Sequence, residues 1–165
     1  MEQQLREFSE FYAAAKDDCL RIVLVSVGDR ALAEDLVAEA FTRAWMSWRK
    51  VRDHPVPRAW VVRTALNTHV SWWRHRRREV PVETITSSPP TWQPDGLNDA
   101  LVTAIRALPA RQREVIVFRV FFDLDTEATA GLLGISPGTV GVHLHRALGT
   151  LRTQIPSFLD QEVAR

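Results

Sequence analysis

The chain has 165 residues, 45% of them hydrophobic and 25% charged, a globular balance that excludes a disordered polymer. Twenty-one basic residues against twenty acidic ones leave a formal net charge of +1, so total charge points to no partner and only its distribution can. The lone cysteine, Cys19, excludes an internal disulfide and a cysteine zinc site, and is expected to be a small buried residue in a reducing compartment.

No apolar run is long enough to span a bilayer, and the polar, acidic first residues are unlike a signal peptide. A cytoplasmic protein without membrane insertion is expected. Residues 1–50 carry no proline and one glycine, Gly28, and they read as helix. Leu5, Phe8, Phe11 and Tyr12 recur at helical spacing, and Cys19, Ile22 and Val23 continue the stripe to a stop at Gly28-Asp29. A second helix is expected over residues 33–48. Leu36, Val37, Ala40, Phe41, Ala44, Trp45 and Trp48 should line its buried face, with Asp35 and Glu39 together on an acidic one. Residues 51–57, with Pro55 and Pro57, should form a loop, and residues 58–78 a third helix with Pro57 at its first turn.

That third helix has six arginines (Arg58, Arg63, Arg74, Arg76, Arg77 and Arg78), no acidic residue, and the aromatic rings of Trp60, Trp72 and Trp73. Arginine interleaved with aromatics suits phosphate contacts and stacking on unpaired bases. A solvated basic face ending a helix at its negative pole is the plainer reading.

Four of the nine prolines fall in residues 79–96, a linker by composition. It divides the chain into a first domain over residues 1–78 and a second over 97–152, followed by a short tail, 153–165. Those eighteen linker residues could stretch to about 60 Å but would average about 25 Å as a coil. The free protein is therefore expected to keep its domains close. No further domain is expected after the tail.

Asn98-Asp99 is a good N-cap pair for the next helix, whose stripe Leu101, Ile105, Leu108 stops at Pro109. Val115, Ile116, Phe118 and Val120 follow on another. Residues 126–133, the turn Gly134-Ile135-Ser136, and a helix from Pro137 to about Leu151 form a helix-turn-helix pattern. Gly134 suits the tight turn, Ser136 can cap, and Pro137 fits the first helical position. Val140, Leu144, Ala147 and Leu151 should face inward, and Thr139, Val142 and Arg146 outward with His143 at the edge of that face, where side chains could reach a major groove. A plain helical hairpin would share this spacing. In the cores, Phe41, Trp45 and Trp60 of the first domain and Val115, Leu132, Val140 and Leu144 of the second are expected to be buried. No strand pattern or internal repeat appears, so the fold class is all-α: two small helical domains on a flexible linker.

Four motifs in order resemble the extracytoplasmic-function sigma factors of the sigma-70 family. They are residues 29–45 (DRALAEDLVAEAFTRAW), 57–67 (PRAWVVRTALN) with the Arg74–Arg78 cluster, 107–115 (ALPARQREV), and 133–140 (LGISPGTV) with His145-Arg146-Ala147. The resemblance runs from about residue 5 to 152. It implies a sigma factor that binds core RNA polymerase and directs promoter-specific transcription initiation. Asp35 and Glu39 would contact the β′ clamp helices. Asn67, Trp72, Trp73, Arg74, Arg76 and Arg77 would bind the −10 element of promoter DNA, the loop 51–57 helping to capture an unpaired base. The second domain would sit on the β-flap and hold the −35 element through Thr139, Val142, His143 and Arg146. An anti-sigma protein would be a further partner. No cofactor, metal, small-molecule substrate or catalytic residue is implied, the chemistry being the polymerase's.

The sequence departs from the family pattern in places. Gly141-Val142-His143 and Leu148 lack common arginines, Ala128-Thr129 stands where Glu-Ile is usual, and Leu66 and Ser71 replace an arginine and an aspartate. Gly131 inside a helix costs about 1 kcal/mol against alanine. Two other functions fit parts of the pattern: a stand-alone helix-turn-helix regulator, and a sigma-like helical interaction module. The first leaves the acidic helix unexplained, and the second fits the depleted recognition helix.

Overall fold

Helix boundaries fall where the local chemistry puts them. The computed structural model describes residues 1–79 and 99–155, the side chains of residues 77–79 excepted. α1 (Glu2–Val27) ends at Gly28, whose φ of 78° is the left-handed conformation that a residue without Cβ adopts freely. Asp29 then caps α2 (Arg30–Met46), its carboxylate accepting from the Leu32 N–H at 3.0 Å. Helix α2 therefore starts three residues before the expected position. After Ser47 a short α3 (Trp48–Arg52) takes up the first two residues of the expected loop, so Val51 is buried and the loop proper is residues 53–56. That loop is tied down: the His54 N–H donates to the Val51 carbonyl at 3.1 Å, and the Val56 N–H donates to His54 Nδ1 at 3.0 Å. α4 (Pro57–Glu79) follows.

Within this first unit α2 packs against both α1 and α4, and α1 against α4. Ala33, Leu36, Val37, Ala40, Phe41 and Ala44 bury one face of α2 as the spacing requires. Trp45 does not follow them: it is 39% exposed, lying against Phe8 with ring centroids 5.2 Å apart and its other side open. Trp60 is half-buried, not enclosed. The aromatic cluster is formed by Phe8, Phe11, Phe41 and Trp48, with the exposed Tyr12 edge-on to Phe41 at its rim. Cys19 is fully buried, and burial pushes its thiol up to about 12.

The second unit comprises α5 (Asp99–Ala107), α6 (Ala110–Ile116), α7 (Thr126–Leu133) and α8 (Pro137–Gln154), with α8 packed against the other three. α6 runs on into a π-helical turn, Val117–Phe121. The wider turn carries Val120 outward to 59% exposure, although a regular helix would have kept it on the apolar stripe. Phe118 and Phe122 stack at 5.8 Å, and Asp123, at φ 50°, is the one non-glycine with positive φ among the described residues. Asp125 caps α7 through the Ala128 N–H at 2.7 Å, and Ser136 caps α8 through the Thr139 N–H at 3.1 Å. Between them Gly134, at φ 67°, makes the turn. On α7 the buried positions are Thr129, Ala130 and Leu133; Leu132 is half-buried, one step of 100° away from that face. On α8 Val140 and Ala147 are fully buried, while Leu144 and Leu151 pack at the edge. Val115 is buried as expected.

Among the described residues there is no strand, and no helix long and apolar enough to cross a membrane. Residues 80–98 and 156–165 lie outside the described residues, so the expected linker (79–96) is seen only at Glu79, which closes α4. The first residues of the expected tail belong instead to α8.

Candidate nucleic-acid interface

Each candidate side chain takes its place from the helix that carries it. On α4 Ala59, Val61, Val62, Ala65, Leu66 and Thr68 are buried, which turns Asn67 outward. Further along, Ser71, Trp73, Arg74, His75 and Arg76 are exposed and Trp72 is half-buried. Arg74 and Arg76 have no ion pair among the described residues. The side chain of Arg77 lies outside them.

Arg58 does not belong to this basic face. Its guanidinium donates to Asp18 Oδ2 at 2.7 Å and to the Ala14 carbonyl at 3.2 Å, clamping α4 to α1, while its own carbonyl accepts from Cys19 Sγ at 3.9 Å. Sequence counting grouped it with the other arginines because the distant partner Asp18 lies forty positions away.

Asn67 opens into a hollow of about 350 Å³ lined by Arg43, Met46 and Ser47 from the end of α2 and by Trp60, Thr64 and Asn67 from α4. On its α4 side the Thr64 hydroxyl donates to the Trp60 carbonyl at 2.9 Å. An indole, an amide, a hydroxyl and a guanidinium around one cavity can stack on a planar ring and hydrogen-bond its edge. The hollow has no signature in the sequence, because Arg43 and Met46 lie on a different helix from Asn67.

The acidic pair on α2 is unequal. Asp35 is exposed and has no hydrogen bond or ion pair among the described residues, whereas Glu39 Oε1 accepts from Arg43 Nε at 2.9 Å. Nearby, Arg30 pairs with Glu34 at 3.0 Å, so Asp35 is the open negative charge of this face.

On α8 Val142 is 47% exposed and Arg146 is also exposed. Thr139 is half-buried and its hydroxyl shares a 2.8 Å hydrogen bond with that of Ser136, so it serves the cap. His143 is half-buried with a buried Nδ1 that has no hydrogen-bond partner among the described residues. The four residues thus share a helix but not one outward surface. In the same unit Arg113 donates to the Arg106 carbonyl at 3.1 Å, and burial, with Arg106 nearby, lowers its pKa against the opposing effect of Glu114. Among the described residues no cluster of histidine, cysteine and carboxylate side chains could hold a metal ion.

Comparison with known proteins places both units. A family model described as Sigma-70 region 2 matches residues 11–79, and one described as Sigma-70, region 4 matches residues 98–151. The chain is 35% identical over 155 residues to the RNA polymerase sigma-E factor of Streptomyces coelicolor, covering 92% of this chain and 88% of that protein. It is 36% identical over 140 residues to the ECF RNA polymerase sigma factor SigL of Mycobacterium tuberculosis, covering 80% and 79% respectively. Among solved structures, the sigma factor RpoE of Bartonella quintana, crystallised with the anti-sigma factor NepR, is similar with a TM-score of 0.74 at 23% identity, covering 92% of this chain and 98% of that one.

Proposed function

The chain belongs to the extracytoplasmic-function group of the sigma-70 family, and from that premise we propose how its surfaces divide the work of initiation. It is a sigma factor, binding core RNA polymerase and directing it to promoter DNA. In our reading the first domain, residues 1–78, holds the polymerase and the −10 element, and the second, residues 97–152, holds the −35 element. Residues 79–96 join them.

Asp35 is the principal acidic contact to the β′ clamp helices, with Glu39 beside it. Arg74, Arg76 and Arg77 neutralise phosphates, and Trp72 and Trp73 offer stacking surface. Asn67 reads an unpaired base. The observation that carries this is the hollow between α2 and α4, which sets the exposed Asn67 amide beside an indole at the foot of the basic face. On α8, Val142 and Arg146 have the exposure that base and phosphate contacts need; Thr139 and His143 would contribute from the edge. Arg146 is the exposed arginine in the middle of that helix, Arg152 standing in its last turn. The bond-forming chemistry belongs to the polymerase, no step is assigned to side chains of this chain, and its place of action is the cytoplasm. The Bartonella quintana protein is crystallised with an anti-sigma factor, and a partner of that kind is proposed here too.

A free-standing DNA-binding regulator would leave the open charge of Asp35 and the hollow without a role. The test is runoff transcription by purified core polymerase with and without the chain. Promoter-specific transcripts are expected only with it, and Asn67→Ala should change which promoters fire. Transcripts that do not depend on the chain would overturn the proposal.

A further inference from the structure

Arg43 lines the hollow from the α2 side, and it is the one charged residue among the six that do so. Its Nε donates to Glu39 Oε1 at 2.9 Å, one helical turn back. Neither terminal nitrogen has a hydrogen bond or ion pair among the described residues. A guanidinium carries five N–H donors in a fixed plane, so an Nε-only contact leaves the outer fork of four unused. The pair itself is exposed, 51% at Arg43 and 39% at Glu39, and such pairs add little to stability. What the contact does is fix the long side chain in one orientation, which removes rotamer freedom that binding would otherwise have to remove.

We propose that Arg43 is a further nucleotide-contacting residue and that Glu39 is its positioning residue. This rests on the reading that the hollow receives an unpaired nucleotide. The Arg43 fork then takes acceptor oxygens of that nucleotide, either a base carbonyl or the adjoining phosphate. Asn67 and Trp60 hold the base from the α4 side. Both walls of the hollow thus read DNA, and α2 is more than a polymerase-docking helix. Glu39 correspondingly gives less to polymerase binding than the unpaired Asp35 does.

The experiment uses holoenzyme assembled from core polymerase and the full chain. Its probe is a forked promoter DNA whose −10 non-template strand is single-stranded, with binding followed by fluorescence anisotropy. Arg43→Ala and Arg43→Met should each weaken binding to the fork by about tenfold, as expected for loss of charge-assisted hydrogen bonds, while affinity for core stays within about twofold. Arg43→Lys, which keeps the charge but not the fork, should recover only part of the loss. With core polymerase saturated by the chain, Glu39→Gln should give a smaller loss of fork affinity, since its amide oxygen still accepts from Nε. A series of single abasic positions identifies the nucleotide: if the Arg43→Ala loss vanishes at one of them, the fork reads the base, and if it persists at all of them, it holds phosphate. Unchanged fork affinity in both Arg43→Ala and Arg43→Met overturns the inference, as does an equal loss of core affinity. Asn67→Ala run in parallel separates the two readings. Loss with Asn67→Ala alone removes Arg43 and leaves the hollow, and loss with neither removes both. Loss with Arg43→Ala alone keeps Arg43 and removes Asn67.

Discussion

Thr129 offers a sharp test of how the second unit is packed. It is fully buried on α7, and its hydroxyl has no hydrogen-bond partner among the described residues. Enclosing an unsatisfied hydroxyl costs about 1–3 kcal/mol. Valine has nearly the same shape, puts a methyl where the hydroxyl was, and is similarly disposed toward helix. Thr129→Val should therefore stabilise the unit by about 1–2 kcal/mol, the lower part of that range because the chain relaxes around the new methyl. For a unit of this size that is a rise in melting temperature of roughly 5–10 °C. The assay has an internal control. All six tryptophans lie at or before residue 92, so their fluorescence reports elsewhere than residues 99–155. Amide exchange in α7 and α8 should slow with Thr129→Val while the tryptophan unfolding curve stays in place. Thr129→Ser, which keeps the hydroxyl and loses the methyl, should destabilise. Faster exchange in α7 with valine would refute the argument, because it would mean that the hydroxyl is satisfied in solution.

Gly131→Ala should add about 1 kcal/mol, since a Cβ there meets nothing within 4 Å; thermal unfolding measures it. Arg74→Ala and Arg76→Ala should weaken binding of holoenzyme to every promoter and flatten its dependence on salt by about one unit of log–log slope each, read from titrations at several salt concentrations. Cys19 should resist alkylation in the folded protein and react on unfolding, as mass spectrometry of iodoacetamide-treated samples would show. Its folded pKa of about 12 lies above the ordinary value of 9.0, so the thiol's contribution to stability is full below pH 9 and declines as pH rises toward 12.

Helix content and order were legible because the stripes are regular and the stops are strong: Gly28, Pro57, Pro109 and the Gly134–Ser136 turn each carry their own local chemistry. What escaped has physical reasons. Val120 moved to the surface because a π-helical turn breaks the 3.6-residue period on which the stripe was counted. Trp45 was assigned to the core by spacing, yet an indole that meets Phe8 on one side can leave the other in water. Leu132 and Leu133 are adjacent, and only packing decides which of them faces inward. Of the candidate site, Asn67, Arg74 and Arg76 are exposed on α4, as spacing along a helix can indicate. The loss of Arg58 to Asp18, the pairing of Glu39 with Arg43 and the hollow itself depend on how helices meet.

The central claim is that α2 docks polymerase through Asp35 while α4 reads DNA through Asn67, so the two functions should separate by mutation. The direct measurement sets affinity for core polymerase beside open-complex formation on one promoter, for Asp35→Arg and Asn67→Ala. Asp35→Arg should weaken core binding and lose open complexes only in proportion, with full recovery when the chain is in excess. Asn67→Ala should bind core like the parent chain and still fail to open that promoter at any concentration. Equal losses of core affinity in both variants, or open complexes undiminished in both, would contradict the division of labour.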